Sequence, residues 1–172
     1  MNEDERELCR ITFDWDKENS NTKIYTKELT AQVVKTPTKF KNIIGQFDLL
    51  PGNIYFWELK MKYGVHFMVG VVKKETVEKD PDCQFFESDG GYAYYNRGLL
   101  RAKGFGLKLA YGSPYSMGDT VGVLFDSHHG TLSFLLNDKN LGPAFVTKDL
   151  CKDVYVPAVA MLVDGETVEV VD

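Results

Sequence analysis

Apolar and polar residues alternate with a period of two along much of the chain. Ile11, Phe13 and Trp15 are interleaved with Thr12, Asp14 and Asp16. Tyr55, Trp57, Leu59 and Met61 alternate with Phe56, Glu58, Lys60 and Lys62; Leu132, Phe134 and Leu136 alternate with Thr131, Ser133 and Leu135. Successive strand residues point to opposite faces, so each set predicts an antiparallel strand with one face in a core and the other mostly wet. Phe67 to Val72 and Val121 to Phe125 are continuous apolar runs instead. They predict central strands covered on both faces.

Turn chemistry separates these runs at short intervals: Asn19-Ser20-Asn21, Pro51-Gly52-Asn53, Ser88-Asp89-Gly90-Gly91, Asn96-Arg97-Gly98 and Asp164-Gly165. Asp126-Ser127-His128-His129-Gly130 is expected to close one hairpin and Asn137-Asp138-Lys139-Asn140 the next. Leu141-Gly142-Pro143-Ala144-Phe145 reads as a strand exit. Gly70 and Gly122 within strands suggest a bulge or close packing beside a large aromatic. No stretch has the pattern of a long amphipathic helix, and only Asn2 to Cys9 offers a short helical turn. Many short strands with regular turns predict an all-β sandwich or barrel.

The chain's 172 residues suffice for one domain with a substantial core. Residues 1–10 read as an acidic N-terminal extension and 11–172 as the sandwich. Eleven Phe, nine Tyr and two Trp supply inter-sheet packing, and any that reach the loops supply recognition surface. The net charge of −5 gives no global attraction to nucleic acid or anionic membrane. The longest apolar stretch, Val154 to Val163, is half a membrane span and contains Pro157. Three widely spaced cysteines, Cys9, Cys83 and Cys151, do not suggest a disulfide framework, and with no signal-peptide character at the start they point to the cytoplasm.

Candidate chemistry is sparse. His128-His129 is an adjacent pair on a hairpin tip with no Cys or His at ligand spacing, which reads as a solvated turn rather than a metal site. Asp119 and Asp126 flank one strand, whose length would hold them about 20 Å apart. That is beyond the separation of a glycosidase carboxylate pair, and each residue has a turn role instead. Gly104-Phe105-Gly106 lacks the third glycine and the strand-to-helix context of a phosphate loop. Lys35, Lys39 and Lys41 read as a solvated basic face. No cofactor, metal or catalytic set is expected.

One ordered series is more specific. It runs Tyr55-Phe56-Trp57-Glu58-Leu59, Phe67-Met68-Val69-Gly70-Val71, Tyr111-Gly112 and Met117-Gly118-Asp119-Thr120-Val121-Gly122-Val123. Gly130-Thr131-Leu132-Ser133-Phe134, Asn137 to Phe145 and Tyr155-Val156-Pro157-Ala158-Val159 complete it. In this order the set resembles the SPRY (B30.2) domain family over roughly Phe13 to Val170. Tyr63-Gly64-Val65-His66-Phe67 is similar to the SOCS-box-associated SPRY proteins, with Val65 where those relatives carry Thr. Lys35-Thr36-Pro37 loosely matches their basic-x-Pro loop, with Lys for Arg, which loses a bidentate fork.

The resemblance implies a bent antiparallel sandwich of two sheets, concanavalin-like in architecture. It also implies a non-catalytic module that binds a protein or peptide through loops at one rim, as an adaptor or a substrate-recognition domain of a ubiquitin ligase. An isolated domain of this kind is expected to be monomeric. The implied binding residues are Lys35 and Thr36, Tyr63, Gly64 and Val65, Phe85 and Phe86, and Met161 and Leu162. If period two holds at Phe85-Phe86, one ring points outward; local packing of both is the alternative. Met161 and Leu162 also suit a core. A carbohydrate-binding sandwich is the alternative function, and a hydrolase of related architecture a weaker one.

Overall fold

A computed structural model describes residues 7–16, 24–27, 29–33, 39–104 and 109–172. In chain order the strands are β1 (Leu8–Arg10), β2 (Trp15–Asp16), β3 (Ile24–Lys27), β4 (Thr30–Val33) and β5 (Lys41–Gly45). Then come β6 (Ile54–Tyr63), β7 (Met68–Lys73), β8 (Gly91–Tyr95) and β9 (Leu99–Ala102). The rest are β10 (Thr120–Asp126), β11 (Thr131–Leu136), β12 (Lys139–Val146), β13 (Tyr155–Met161) and β14 (Thr167–Val170). Among the described residues they form two sheets. One is ordered β12-β11-β10-β6-β14-β4-β3, with β1 beside β6; the other is β2-β5-β13-β7-β8-β9. Every pairing is antiparallel except β1 with β6. The expected all-β sandwich of two sheets is the observed fold.

Period-two alternation builds the space between the sheets. Trp57, Leu59 and Met61 of β6 and Val121, Val123 and Phe125 of β10 pack in one cluster with Val69, Val71, Tyr94, Tyr155 and Val159 of the opposite sheet. Removing each such side chain from water contributes about 1.5–3 kcal/mol.

The continuous run in β7 has a different cause. Met68 and Val72 point away from the sandwich into a second cluster with Val156, Ala158 and Ala160. That cluster is capped by Val77 from helix α1 (Lys74–Lys79) and by Phe85 and Phe86. Covering on both faces therefore holds for β7. In β10 it holds in part, since Leu124 on the outer face is only half-buried. Gly70 sits where β7 meets β8 so closely that a Cβ would stand 1.7 Å from the Tyr92 carbonyl oxygen.

Several sequence expectations need correction. Where the sequence offers a short helical turn up to Cys9, Leu8–Arg10 is a strand: β1 pairs with Ile54–Phe56, and Arg10 forms an ion pair of 2.7 Å with Glu58. Leu141 to Phe145 lies inside β12 rather than at a strand exit. The β11–β12 hairpin is tighter than expected: Asn137 and Asp138 alone turn it, with φ of 49° and 70°, the left-handed pair of a two-residue loop. Helix α1 has no signature in the apolar pattern because Val77 is its one buried residue.

Candidate functional site

At one end of the sandwich the β6–β7 loop meets the β13–β14 loop. The centre of that meeting is Glu166, a buried carboxylate with 1% exposure. Its Oε1 accepts hydrogen bonds from the backbone N–H of Leu162 at 2.8 Å and Val163 at 2.6 Å. Its Oε2 accepts from the N–H of Val65 at 2.8 Å and His66 at 2.7 Å, and lies 3.0 Å from His66 Nδ1. Hydrogen bonds to a carboxylate are shorter and stronger than neutral ones, so this group ties both loops to one point. Asn96 adds a second tie, with Oδ1 accepting from Phe67 N–H at 3.1 Å and Nδ2 donating to the Val65 carbonyl at 2.9 Å.

Gly64 explains how the chain leaves β6 so sharply. Its φ of 128° lies where side chains are disfavoured, and a Cβ there would stand 2.7 Å from Glu166 Cγ. The tied loop presents Tyr63 at 59% and Val65 at 65% exposure. Half-buried Leu162 and Val163 lie in the facing loop. Beside His66 stands an aromatic group: Phe40 packs edge-on against His66 at 6.3 Å, Phe86 at 5.4 Å and Tyr95 at 6.2 Å. The Arg97 guanidinium lies over the Tyr95 ring at 5.8 Å.

Of the residues implied by the family resemblance, Tyr63, Gly64, Val65 and Leu162 are brought together here. Lys35 and Thr36 lie outside the described residues. Phe85 and Phe86 do not offer an outward ring. They form a 3-10 turn rather than a strand, so period two does not apply, and both rings are buried in the outer-face cluster at 0% and 2% exposure. Met161 ends β13 with its side chain wholly in the inter-sheet core, because the strand's alternation continues through it. His66 occupies the loop rather than a strand. Of the three tyrosines in β8, Tyr94 is fully buried and Tyr92 and Tyr95 are half-buried.

The turn residues behave as their chemistry suggests. Asp126 Oδ1 accepts from the N–H of His128 and His129, and Asp126 Oδ2 lies 2.8 Å from His129 Nδ1. Asp119 accepts from Ser116 N–H at 2.8 Å and from Asn137 Nδ2 at 3.0 Å. Among the described residues no three His, Cys, Asp or Glu side chains come together as a metal site. The perturbed phenols are structural: burial pushes Tyr94 up to about 12 and raises Tyr115 and Tyr155 as well, all three being core residues. Away from the rim, a cavity of about 360 Å³ opens beside Tyr92 and Phe145, with Asp89, Lys103 and Asp149 at its walls.

The SPRY domain family model matches residues 54–171, more than half of the chain, and the chain belongs to that family. It is 33% identical over 99 residues to SPRY domain-containing SOCS box protein 3 of Xenopus laevis, covering 52% of this chain and 26% of that protein. The protein of the same name from Xenopus tropicalis matches with the same identity and coverage. The chain thus spans about a quarter of the length of these relatives. Among solved structures, the SPRY domain of human HERC1 superposes with a TM-score of 0.75 at 18% identity, over 92% of this chain and 97% of that one. The TRIM65 PSpry domain gives 0.71 at 13% identity, over 95% and 94%. At these identities the likeness concerns the fold.

Proposed function

We propose that this chain is a non-catalytic recognition module that binds a protein or peptide partner through the rim formed by the β6–β7 and β13–β14 loops. One observation carries the reading: Tyr63 stands exposed at the end of β6, where it pairs with Thr167, and Val65 stands exposed on a loop backbone that Glu166 and Asn96 hold fixed. A pre-ordered loop loses little conformational freedom on binding, so its apolar contacts translate into affinity. Tyr is moreover among the residues that most often dominate interfaces. The likeness to SOCS box proteins supports a finer reading as a cytoplasmic substrate-recognition or adaptor domain for a ubiquitin ligase, monomeric by itself.

Affinity capture from cell extract followed by mass spectrometry tests it. Tyr63→Ala and Val65→Ser, both at exposed positions, are expected to lose partners that the wild type and a Val146→Ala control on β12 retain. Each rim substitution should weaken a purified partner by about tenfold or more. Folded variants that keep every wild-type partner would show that the rim is not the recognition surface.

A further inference from the structure

We propose that Glu166 locks His66 in the Nδ1–H tautomer, so that Nε2 stands at the rim as a fixed hydrogen-bond acceptor that selects a peptide segment presenting an N–H or O–H donor. The inference rests on the rim being the recognition surface and specifies what it recognises.

The tautomer follows from counting protons around one carboxylate. Both Glu166 oxygens face backbone N–H donors: Leu162 and Val163 at Oε1, Val65 and His66 at Oε2. The same Oε2 lies 3.0 Å from His66 Nδ1. A lone pair on Nδ1 would be pressed against the carboxylate's own lone pairs, whereas a proton there makes the contact a hydrogen bond. Neutral imidazole carries one ring proton, and the partner of one nitrogen decides the state of the other. Nε2 is therefore the acceptor.

The ring's orientation is fixed as well. Residue 66 is held through its backbone and its side chain by the same carboxylate oxygen, and Phe40 packs against the ring at 78°. The ring's hydrogen bond among the described residues is made at Nδ1, and the one side-chain atom there that is both buried and unpaired is Trp57 Nε1, so Nε2 is not sealed from solvent. The His66 side chain is 23% exposed, so the ring reaches the surface. On the loop that carries exposed Val65 and beside the Phe40 ring, such an acceptor loses its water when a ligand covers it. A ligand without a matching donor leaves it unpaired and is rejected.

Two measurements decide the matter. Long-range proton–nitrogen correlation spectra of the uniformly nitrogen-15-labelled chain, above neutral pH, should show His66 Nδ1 protonated and Nε2 bare. An Nε2–H tautomer would overturn the proposal without any ligand. The second measurement uses peptides selected on the wild-type chain from a displayed random library. His66→Asn keeps an amide donor near the Nδ1 position and has no atom at Nε2. It should keep the wild-type melting temperature and bind these peptides at least about tenfold more weakly.

Methylating or deleting the responsible peptide donor should weaken binding to the wild type and leave binding to His66→Asn unchanged. If Tyr63→Ala loses the peptides while His66→Asn binds them with wild-type affinity, the rim reading stands and the acceptor role fails. If Tyr63→Ala also binds like the wild type, the rim reading itself fails and takes this inference with it.

Discussion

Glu166 and Asp126 carry the same small arrangement in two different places. Each carboxylate accepts consecutive backbone N–H groups and pairs with a histidine Nδ1, at 3.0 Å for His66 and 2.8 Å for His129. Asp126 holds its own turn, reaching two and three residues along the chain, and its side chain is 16% exposed beside a 46%-exposed His129. Glu166 reaches back a hundred residues, and its side chain is 1% exposed. Water can replace Asp126 for its donors, and it has no such access at Glu166. One pattern therefore shapes a hairpin tip, and the other clamps two loops into a single surface.

That contrast can be broken by substitution. Glu166→Ala should have the largest effect. It leaves four N–H groups without their acceptor in a buried place, with a loss of about 3–5 kcal/mol read as a lowered denaturation midpoint. Amide exchange at Val65, His66, Leu162 and Val163 should accelerate together. Gly64→Ala should follow, at about 1–3 kcal/mol, because it adds both backbone strain at φ 128° and a contact against Glu166. Asp126→Ala is expected to be mildest, about 1 kcal/mol, with exchange at the rim unchanged. Equal losses for Asp126→Ala and Glu166→Ala would mean that burial does not separate the two motifs.

The strands were readable where one rule governs them. β6 alternates because one face meets the core and the other meets solvent, and that periodicity is local information. Phe85-Phe86 misleads because the outer face of the second sheet has a cover of its own. A 3-10 turn folds both rings into that cover, and two adjacent aromatics look the same in either setting. Met161 completes the inward alternation of β13 just before the loop that Leu162 begins. Tyr63, Gly64 and Val65 were accessible through the motif they belong to. Glu166 was not: its bonds to Leu162 and Val163 are local, but the amides that make it a clamp, at Val65 and His66, lie a hundred residues away and leave no mark near it in the chain. Phe40, Tyr95 and Arg97 join the rim by the same long-range packing.

The placement of β14 bears on how the domain comes into being during synthesis. Thr167–Val170 lies inside its sheet, pairing on one side with Leu59–Tyr63 of β6 and on the other with Thr30–Gln32 of β4. A nascent chain therefore emerges with β4 and β6 before β14, the strand that lies between them, has been made. Pairing β14 with both joins segments more than a hundred residues apart, a search that slows folding. Until residue 170 has cleared the ribosome, both flanking strands offer bare edges to whatever chaperone or neighbouring chain is nearest.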